Sequence, residues 1–364
     1  MVGPAPEERG RVLIIAEAGV NHNGSLDMAL EMVDVAAECG ADIIKFQTFK
    51  PELVTSRNAA KAEYQKASTG EGESQLDMIR RYELSGDAHI AIIERCRERG
   101  VEFFSTPFDA PSVDLLVSLG LGRLKIPSGE ITDWPLLRKI GETGKPVIMS
   151  TGMSTLQEIR EAMGVFLLGA LRSGIIPSAA EAEKIFCSYP GREYLEKNMT
   201  LLHCTTQYPT PYKDVNLRAM DLLTDEFGLP VGYSDHTEGI AVSLAAAARG
   251  ASVIEKHFTL DKNLPGPDHR ASVDPGELHE LVSGIRAVEF ALGTYEKAVA
   301  PSEMKNRDVA RRSLVAFRKI EKGELFTEQN LGAKRPGTGI SAARFWEYLG
   351  TASEKNYMPD DLIG

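Results

Sequence analysis

Ser252-Val-Ile-Glu-Lys-His-Phe-Thr259 starts on apolar β-branched residues and ends on a carboxylate, an ammonium and an imidazole. Such groups are costly inside a strand unless paired or used. The run therefore reads as a buried strand whose far end carries chemistry. Seven runs of the same kind precede it, at 12–18, 42–48, 102–108, 123–128, 146–151, 199–205 and 230–236. Most are continuous Val, Ile, Leu and Phe rather than alternating apolar and polar, as parallel strands covered by helices require. Helical patterns lie between them. Ser25 can cap a helix with Leu26, Ala29, Leu30, Val33, Ala36 and Ala37 on its apolar face and Gly40 at its end. Asp274-Pro-Gly-Glu277 supplies an N-cap, a proline at the first helical position and a glutamate at the third. Leu278, Leu281, Val282, Ile285 and Val288 then repeat at helical spacing up to Gly293. Eight strand–helix units predict an α/β fold, a TIM (β/α)8 barrel over 1–293.

Beyond Gly293 the pattern changes. The stretch 294–310 is polar, with Pro301 and a charge run that begins at Lys305, and predicts a linker. Residues 311–364 carry short strand and turn signals, among them Ile320-Glu-Lys-Gly-Glu324 and Lys334-Arg-Pro-Gly-Thr-Gly339. They predict a small β-rich module with little core of its own, leaning on the barrel or on another subunit. The full sequence has 364 residues, 43% hydrophobic and 26% charged, an ordinary globular composition that fits one barrel plus a module. A formal net charge of -11 argues against nucleic-acid or anionic-membrane partners, so any anion site has to be local. Cys39, Cys96, Cys187 and Cys204 show no CxxC spacing and are expected to be buried free thiols of a reducing compartment. Met1 to Arg11 lacks the apolar centre of a signal peptide, and no stretch reaches the roughly 18 apolar residues of a membrane span. The expectation is a soluble, cytoplasmic protein.

In a barrel of this kind the carboxyl ends of the strands build the active site, and here those ends are polar. They carry Glu17, Lys45, Gln47, Thr106, Lys125, Ser128, Glu130, Ser150, Tyr208, Ser234, His236, Glu255 and His257. Any one of them alone could be a satisfied core residue; the set at one rim predicts a site. Lys45 and Lys125 with Thr106, Ser128 and Ser150 suit a clamp for a phosphate and a carboxylate, although either lysine could instead pair with Glu17 or Glu130. His236 and His257 lie on adjacent strands at matching depth, so both imidazoles can reach one catalytic metal ion. His22 reads equally as a substrate contact or a turn residue, and His203 as a hydrogen-bonded interior residue. His89 and His279 read as surface residues of helices. Asp268 and His269 fall on a rim turn after the eighth strand, in Leu264-Pro-Gly-Pro-Asp-His-Arg270.

These segments, in order, resemble the N-acetylneuraminate (sialic acid) synthase family with its C-terminal antifreeze-like domain. The resemblance rests on Ile15-Ala-Glu-Ala-Gly-Val-Asn-His-Asn-Gly24, Lys45-Phe-Gln-Thr48, Ser105-Thr-Pro-Phe108, Lys125-Ile-Pro-Ser-Gly-Glu130 and Ser150-Thr-Gly-Met153. It continues through His203-Cys-Thr205, Tyr233-Ser-Asp-His-Thr237, Glu255-Lys-His-Phe-Thr259, Gly266-Pro-Asp268 and Lys334-Arg-Pro-Gly337, and covers nearly the whole chain. It implies a metal-dependent condensation of phosphoenolpyruvate with N-acetylmannosamine, giving N-acetylneuraminate and phosphate. The implied metal is divalent, usually Mn²⁺, with Mg²⁺ or Co²⁺ as alternatives, held by His236 and His257. Phosphoenolpyruvate is expected against Lys45, Thr106, Lys125, Ser128, Ser150 and Ser234. The amino sugar is expected against Gln47, Tyr208, Asp268 and Arg335, with Glu17 and Glu130 beside the reacting centre as catalytic residues. The family also implies a homodimer in which the C-terminal module, with Arg335, reaches over the partner's barrel.

Two departures from the family pattern stand out. Thr206 sits where neuraminate-making members often carry Asn near phosphoenolpyruvate, and an apparent insertion covers roughly 165–197. An insertion between the fifth helix and the sixth strand lies on the bottom face, away from the chemistry. The nearest rival reading keeps the catalytic residues and changes the sugar: a legionaminate or pseudaminate synthase using a 2,4-diacetamido-trideoxy hexose. A synthase for a sugar phosphate would need a second basic cluster, for which Arg270 is the one candidate. A binding protein built around the C-terminal module would have no use for the intact rim.

Overall fold

The structure, a computed structural model, describes residues 11–61, 72, 74–172 and 174–364. All eight expected runs are strands: β1 Leu13–Gly19, β2 Ile43–Thr48, β3 Glu102–Pro107, β4 Leu124–Ile126, β5 Val147–Ser150, β6 Met199–Cys204, β7 Val231–Asp235 and β8 Val253–His257. They form one parallel sheet in the order β3-β2-β1-β8-β7-β6-β5-β4, in which β1 pairs with both β2 and β8. First and last strands are thus neighbours, as a TIM-type barrel requires. The one junction without a hydrogen-bonded ladder is β3–β4. β4 has three residues and is followed by Pro127, which has no N–H to donate.

Around the strands lie α1 Leu26–Glu38, α2 Pro51–Val54, α3 Gln75–Arg80, α4 Gly86–Arg99, α5 Ala110–Ser118 and α6 Trp134–Glu142. They continue with α7 Leu156–Leu171, α8 Ala179–Phe186, α9 Tyr189–Asn198, α10 Ala219–Phe227, α11 Ala241–Ala248 and α12 Pro275–Leu292. The capping signals act as read. The Ser25 hydroxyl accepts from Met28 N, and Asp274 and Glu277 bond each other's backbone N–H at 2.9 and 3.0 Å. The main core joins strand residues such as Ile15, Ile44 and Ile254 to helix residues such as Val33, Leu137 and Leu281, all fully or almost fully buried. At about 1.5–3 kcal/mol per buried aliphatic side chain, this core fixes the strand ends against one another.

Several sequence expectations need correction. Val165 lies inside α7, one of the barrel helices, and is fully buried; the extra material begins after Leu171 and consists mainly of α8 and α9. His89 is not a surface residue. It is fully buried, donates from Nδ1 to the Ser85 carbonyl at 2.8 Å and accepts from the Thr48 hydroxyl at Nε2, also at 2.8 Å. Its helix, α4, packs that face onto the barrel, so a polar residue type there is no guide to exposure. His279 is exposed. All four cysteines are free thiols, but Cys187 is exposed and Cys39 only half-buried. No helix among the described residues is long and apolar enough to cross a membrane.

A second compact unit is formed by Thr294–Gly364. Its 294–310 stretch, expected as a linker, contains a short helix, α13 Met304–Ala310. An antiparallel pair, β9 Ser313–Ala316 and β10 Leu331–Lys334, packs over a small core that includes Leu314, Ile320, Phe326, Leu331, Tyr357 and Ile363. A short helix, α14 Phe345–Tyr348, completes it. Arg335 follows β10, is exposed, and donates from Nε to the Ala310 carbonyl at 3.0 Å.

Candidate active site

Alternation along β2 and β8 turns Lys45 and Gln47, and Glu255 and His257, to the same side of their strands. Lys45 Nζ lies 2.8 Å from Glu17 Oε2 and 3.4 Å from Glu255 Oε2, and donates to Thr106 Oγ1 at 3.2 Å. Lys125 Nζ lies 3.4 Å from Glu255 Oε1 and also donates to Ser150 Oγ. Ser234 completes the cluster by donating to Glu255 Oε1 at 2.9 Å. All of these side chains are buried. Burial works against every charge here, and the outcome differs by residue. The two lysines outweigh burial at Glu255 and carry its carboxyl down to about 2. At Glu17, burial and the Glu255 charge prevail over Lys45 and push the carboxyl up to about 7. Burial also draws Lys125 below the usual ammonium range. With Glu255 ionised and Glu17 able to hold a proton, the cluster keeps positive charge for an incoming anion. Lys45 pairs with Glu17, as one reading of the sequence allowed, whereas among the described residues Glu130 pairs with neither lysine.

Just past the ends of β4, β5 and β6 the chain makes a tight polar patch. Ser128 Oγ accepts from Gly152 N at 3.0 Å and lies 3.1 Å from Cys204 Sγ. A Cβ on residue 152 would stand 2.5 Å from Thr206 Oγ1, 2.8 Å from Cys204 Sγ and 2.9 Å from Ser128 Oγ, so glycine is needed for this approach. Thr206 Oγ1 is buried without a hydrogen-bond partner, and a buried hydroxyl of that kind suits a ligand oxygen.

His236 and His257 bring their rings to 5.6 Å between centroids, and Tyr208 covers both, at 4.2 and 5.7 Å. His236 Nδ1 lies 2.8 Å from the Thr205 carbonyl, which can only accept. The proton therefore sits on Nδ1, and Nε2 presents a lone pair. Burial drives the His236 imidazole down to about 4 and His257 well below its usual range, so both are neutral, as metal ligands must be. His257 Nδ1 is buried with no hydrogen-bond partner. Gly19, at φ +54°, lets β1 pass this ring; a Cβ there would lie 3.3 Å from His257 Cε1. The pair fits a divalent ion with open positions, and among the described residues no cluster of three or more His, Cys, Asp or Glu is placed to hold one.

Behind the histidines, on the outer side of the strands, Asp235 and Lys256 pair at 3.0 Å with both side chains buried. Asp235 also accepts from Thr237 N, Thr237 Oγ1 and Ser243 Oγ at 2.6–2.8 Å.

In front of the histidines opens a cavity of ≈ 250 Å³. Gln47, Tyr208, His257 and Asp268 line it on the strand side; Val54 and Ile79, from α2 and α3, line it on the other. Burial pushes the Asp268 carboxyl up to about 6. The structure thus gathers Glu17, Lys45, Thr106, Lys125, Ser150 and Ser234 at one point and Gln47, Tyr208, His257 and Asp268 at a second, with His236 beside Tyr208 and His257. Glu130 is half-buried on the turn after β4, its carboxyl raised by burial and by Asp133. His22 is fully buried with Nε2 unpartnered, and His203 donates to the Val215 carbonyl at 2.7 Å as an interior residue. Sequence reasoning gave Glu255 no role, although it stands two residues before His257 and alternation alone places it on the site side.

The chain that carries this two-lysine cluster, histidine pair and cavity is similar to known proteins. Residues 32–297 match the NeuB family. The chain belongs to the NeuB family. It is 50% identical over 353 residues to an N,N'-diacetyllegionaminic acid synthase of Campylobacter jejuni, covering 97% of this chain and 99% of that protein. A Legionella pneumophila protein of the same name is 46% identical, with 94% and 90% covered. Among solved structures, an N-acetylneuraminic acid synthetase from Leptospira borgpetersenii in complex with citrate is similar with TM-score 0.65 and 32% identity, covering 82% of this chain and 90% of that one.

Proposed function

We propose that the chain is a phosphoenolpyruvate-dependent synthase that extends a 2,4-diacetamido-trideoxy hexose into an N,N'-diacetyllegionaminate-type nine-carbon acid. The observation that carries the reaction class is the buried Lys45–Glu255–Lys125 cluster beside the His236–His257 pair. The choice of sugar is supported by the 50% and 46% identical relatives, which are named for diacetyllegionaminic acid. N-acetylmannosamine, put first by the sequence resemblance, ranks behind it, because the neuraminate-named structure is 32% identical.

In the proposed reaction C3 of phosphoenolpyruvate bonds to the sugar aldehyde carbon. Water adds at C2, and C2 becomes a ketone as phosphate leaves with its bridging oxygen. Of the two protons of water, one ends on the former aldehyde oxygen and one on phosphate. Lys45 and Lys125 hold the phosphate and carboxylate, with hydroxyls from Thr106, Ser128, Ser150, Ser234 and Thr206. Gln47, Tyr208 and Asp268 orient the sugar. Glu17, whose carboxyl titrates near neutrality, and Glu130 serve proton transfer. A divalent metal, Mn²⁺ first among candidates, held by His236 and His257, would supply Lewis-acid activation of the aldehyde. The proposal includes a homodimer in which Arg335 completes the partner's sugar site.

Phosphate release from phosphoenolpyruvate, measured with and without each sugar and with and without Mn²⁺, tests the reading. Release is expected only when sugar and metal are both present, and fastest with the diacetamido sugar. Equal release without sugar, or release confined to a phosphorylated sugar, overturns it.

A further inference from the structure

We propose that Val54 and Ile79 determine specificity by seating the uncharged, deoxygenated end of the amino sugar. This rests on the synthase reading above and adds the residues that read the far end of the substrate. The cavity has two unlike walls. An aldehyde held beside His257 and Tyr208, on the strand side, directs the rest of an open-chain hexose toward α2 and α3. There the surface includes Thr55 and Gln75, and its apolar wall is Val54 and Ile79, backed by Phe49, Met78 and Tyr82. Apart from Val54, these wall residues belong with Val20 and Phe108 to a small hydrophobic cluster separate from the barrel core.

Exposure separates the residues that support this wall from those that face the cavity. Met78 is 1% exposed and Phe49 7%, whereas Val54 is 37% exposed and Ile79 is half-buried. Side chains that only packed α2 and α3 down would be covered as Met78 is. The charge pattern agrees. No Lys or Arg stands among the described residues that line the cavity, and its one acidic group is Asp268. A phosphate-bearing sugar would meet Asp268 with no counter-charge from the described lining residues, leaving that task to Arg335 of the proposed dimer. A terminal hydroxyl seated on Val54 and Ile79 themselves would lose water against side chains that offer no donor or acceptor, although Thr55 and Gln75 line the same cavity. A methyl group loses nothing and gains from burial.

The test uses the full-length enzyme with phosphoenolpyruvate and two sugars that differ at one atom: 2,4-diacetamido-2,4,6-trideoxymannose and its 6-hydroxy counterpart. The wild-type protein is expected to favour the 6-deoxy sugar by about 10- to 100-fold in kcat/KM, the range a hydrophobic pocket achieves against an added hydroxyl. It should not turn over the 6-phosphate. Val54→Thr with Ile79→Thr should shrink that preference by roughly 10-fold while the KM for phosphoenolpyruvate holds. Ile79→Val, which stays apolar, should retain the preference. If the double variant loses all turnover, Val54→Thr alone, which preserves side-chain shape, carries the measurement. An unchanged preference in the threonine variants or turnover of the 6-phosphate alongside the 6-deoxy sugar overturns the inference and leaves the synthase reading standing, whereas a wild-type preference for the 6-hydroxy sugar overturns the inference and the trideoxy hexose with it. No turnover of any sugar by the wild-type protein overturns both.

Discussion

Asp235 on β7 and Lys256 on β8 are register partners, and their side chains meet at 3.0 Å out of reach of solvent. The next residue along each strand is a histidine of the proposed metal pair. The ion pair thus fastens the two strands at the level where His236 and His257 emerge. Lys256 Nζ also donates to the Thr237 carbonyl at 2.5 Å, which fixes the turn that follows. Removing one partner leaves the other charge buried and alone. Asp235→Asn or Lys256→Met should therefore cost about 3–5 kcal/mol in urea denaturation. The double variant should cost less than the sum, and each single variant should bind Mn²⁺ more weakly. Single losses below about 1 kcal/mol would show that the pair fastens nothing.

The anion cluster predicts a division of kinetic effects. Lys125→Ala removes a charge-assisted contact worth ~1.5–3 kcal/mol, so the KM for phosphoenolpyruvate should rise about 10- to 150-fold. Thr206→Ala removes one hydroxyl donor to the same anion, a charge-assisted bond of ~1.5–3 kcal/mol, and should likewise raise that KM about 10- to 150-fold. The sugar KM should move little in either variant. A reversed pattern, with sugar affinity lost and phosphoenolpyruvate affinity kept, would mean that the two subsites are exchanged.

Asp268 sets function against stability. Burial raises its carboxyl from the ordinary 3.8 to about 6 in the folded chain. Between those two values the native state holds a proton that the unfolded chain releases, so stability falls as pH rises toward 6 and stays lower above it. A shift of this size corresponds to ~3 kcal/mol at neutral pH. Asp268→Asn should recover much of that at pH 7.5 and show no gain near pH 3, while sugar binding is lost. Denaturation at the two pH values checks the sign. A gain at low pH alone would contradict it.

The proposed sharing of Arg335 has a mixing test. Lys125→Ala and Arg335→Ala homodimers, each strongly impaired at sub-saturating substrate, are combined in equal amounts and allowed to exchange subunits. If Arg335 serves the partner, each mixed dimer has one intact site, and about a quarter of all sites recover. Confirmed exchange without recovery places Arg335 at its own chain's site or at none.

Most of the barrel was legible because each strand is a run of apolar residues with nowhere to go but inside. The strand ends were legible because Lys45, Lys125, His236 and His257 are too costly to bury without a purpose. What stayed hidden has physical causes. Glu255 was lost among its neighbours, because a carboxylate followed at once by a lysine and a histidine carries no sign of which partner it takes. His89 looked like a surface residue because its partners, Ser85 and Thr48, come from a helix cap and another strand. The apolar wall of the cavity was out of reach for a similar reason. Val54 and Ile79 lie far apart in sequence on helices of four and six residues, too short for a periodic pattern to register.

The missing ladder between β3 and β4 gives the central charges a mechanical task. Lys45 bonds to Thr106 on one lip of that gap, and Lys125 bonds to Ser150 beyond the other. Glu255 reaches both lysines from the opposite side of the ring. Where the backbone leaves the hoop unfastened, side-chain charge buckles it. An anion gripped by the same two lysines would act as a keystone, so the resistance of this barrel to prying open at β3–β4 should rise with substrate occupancy.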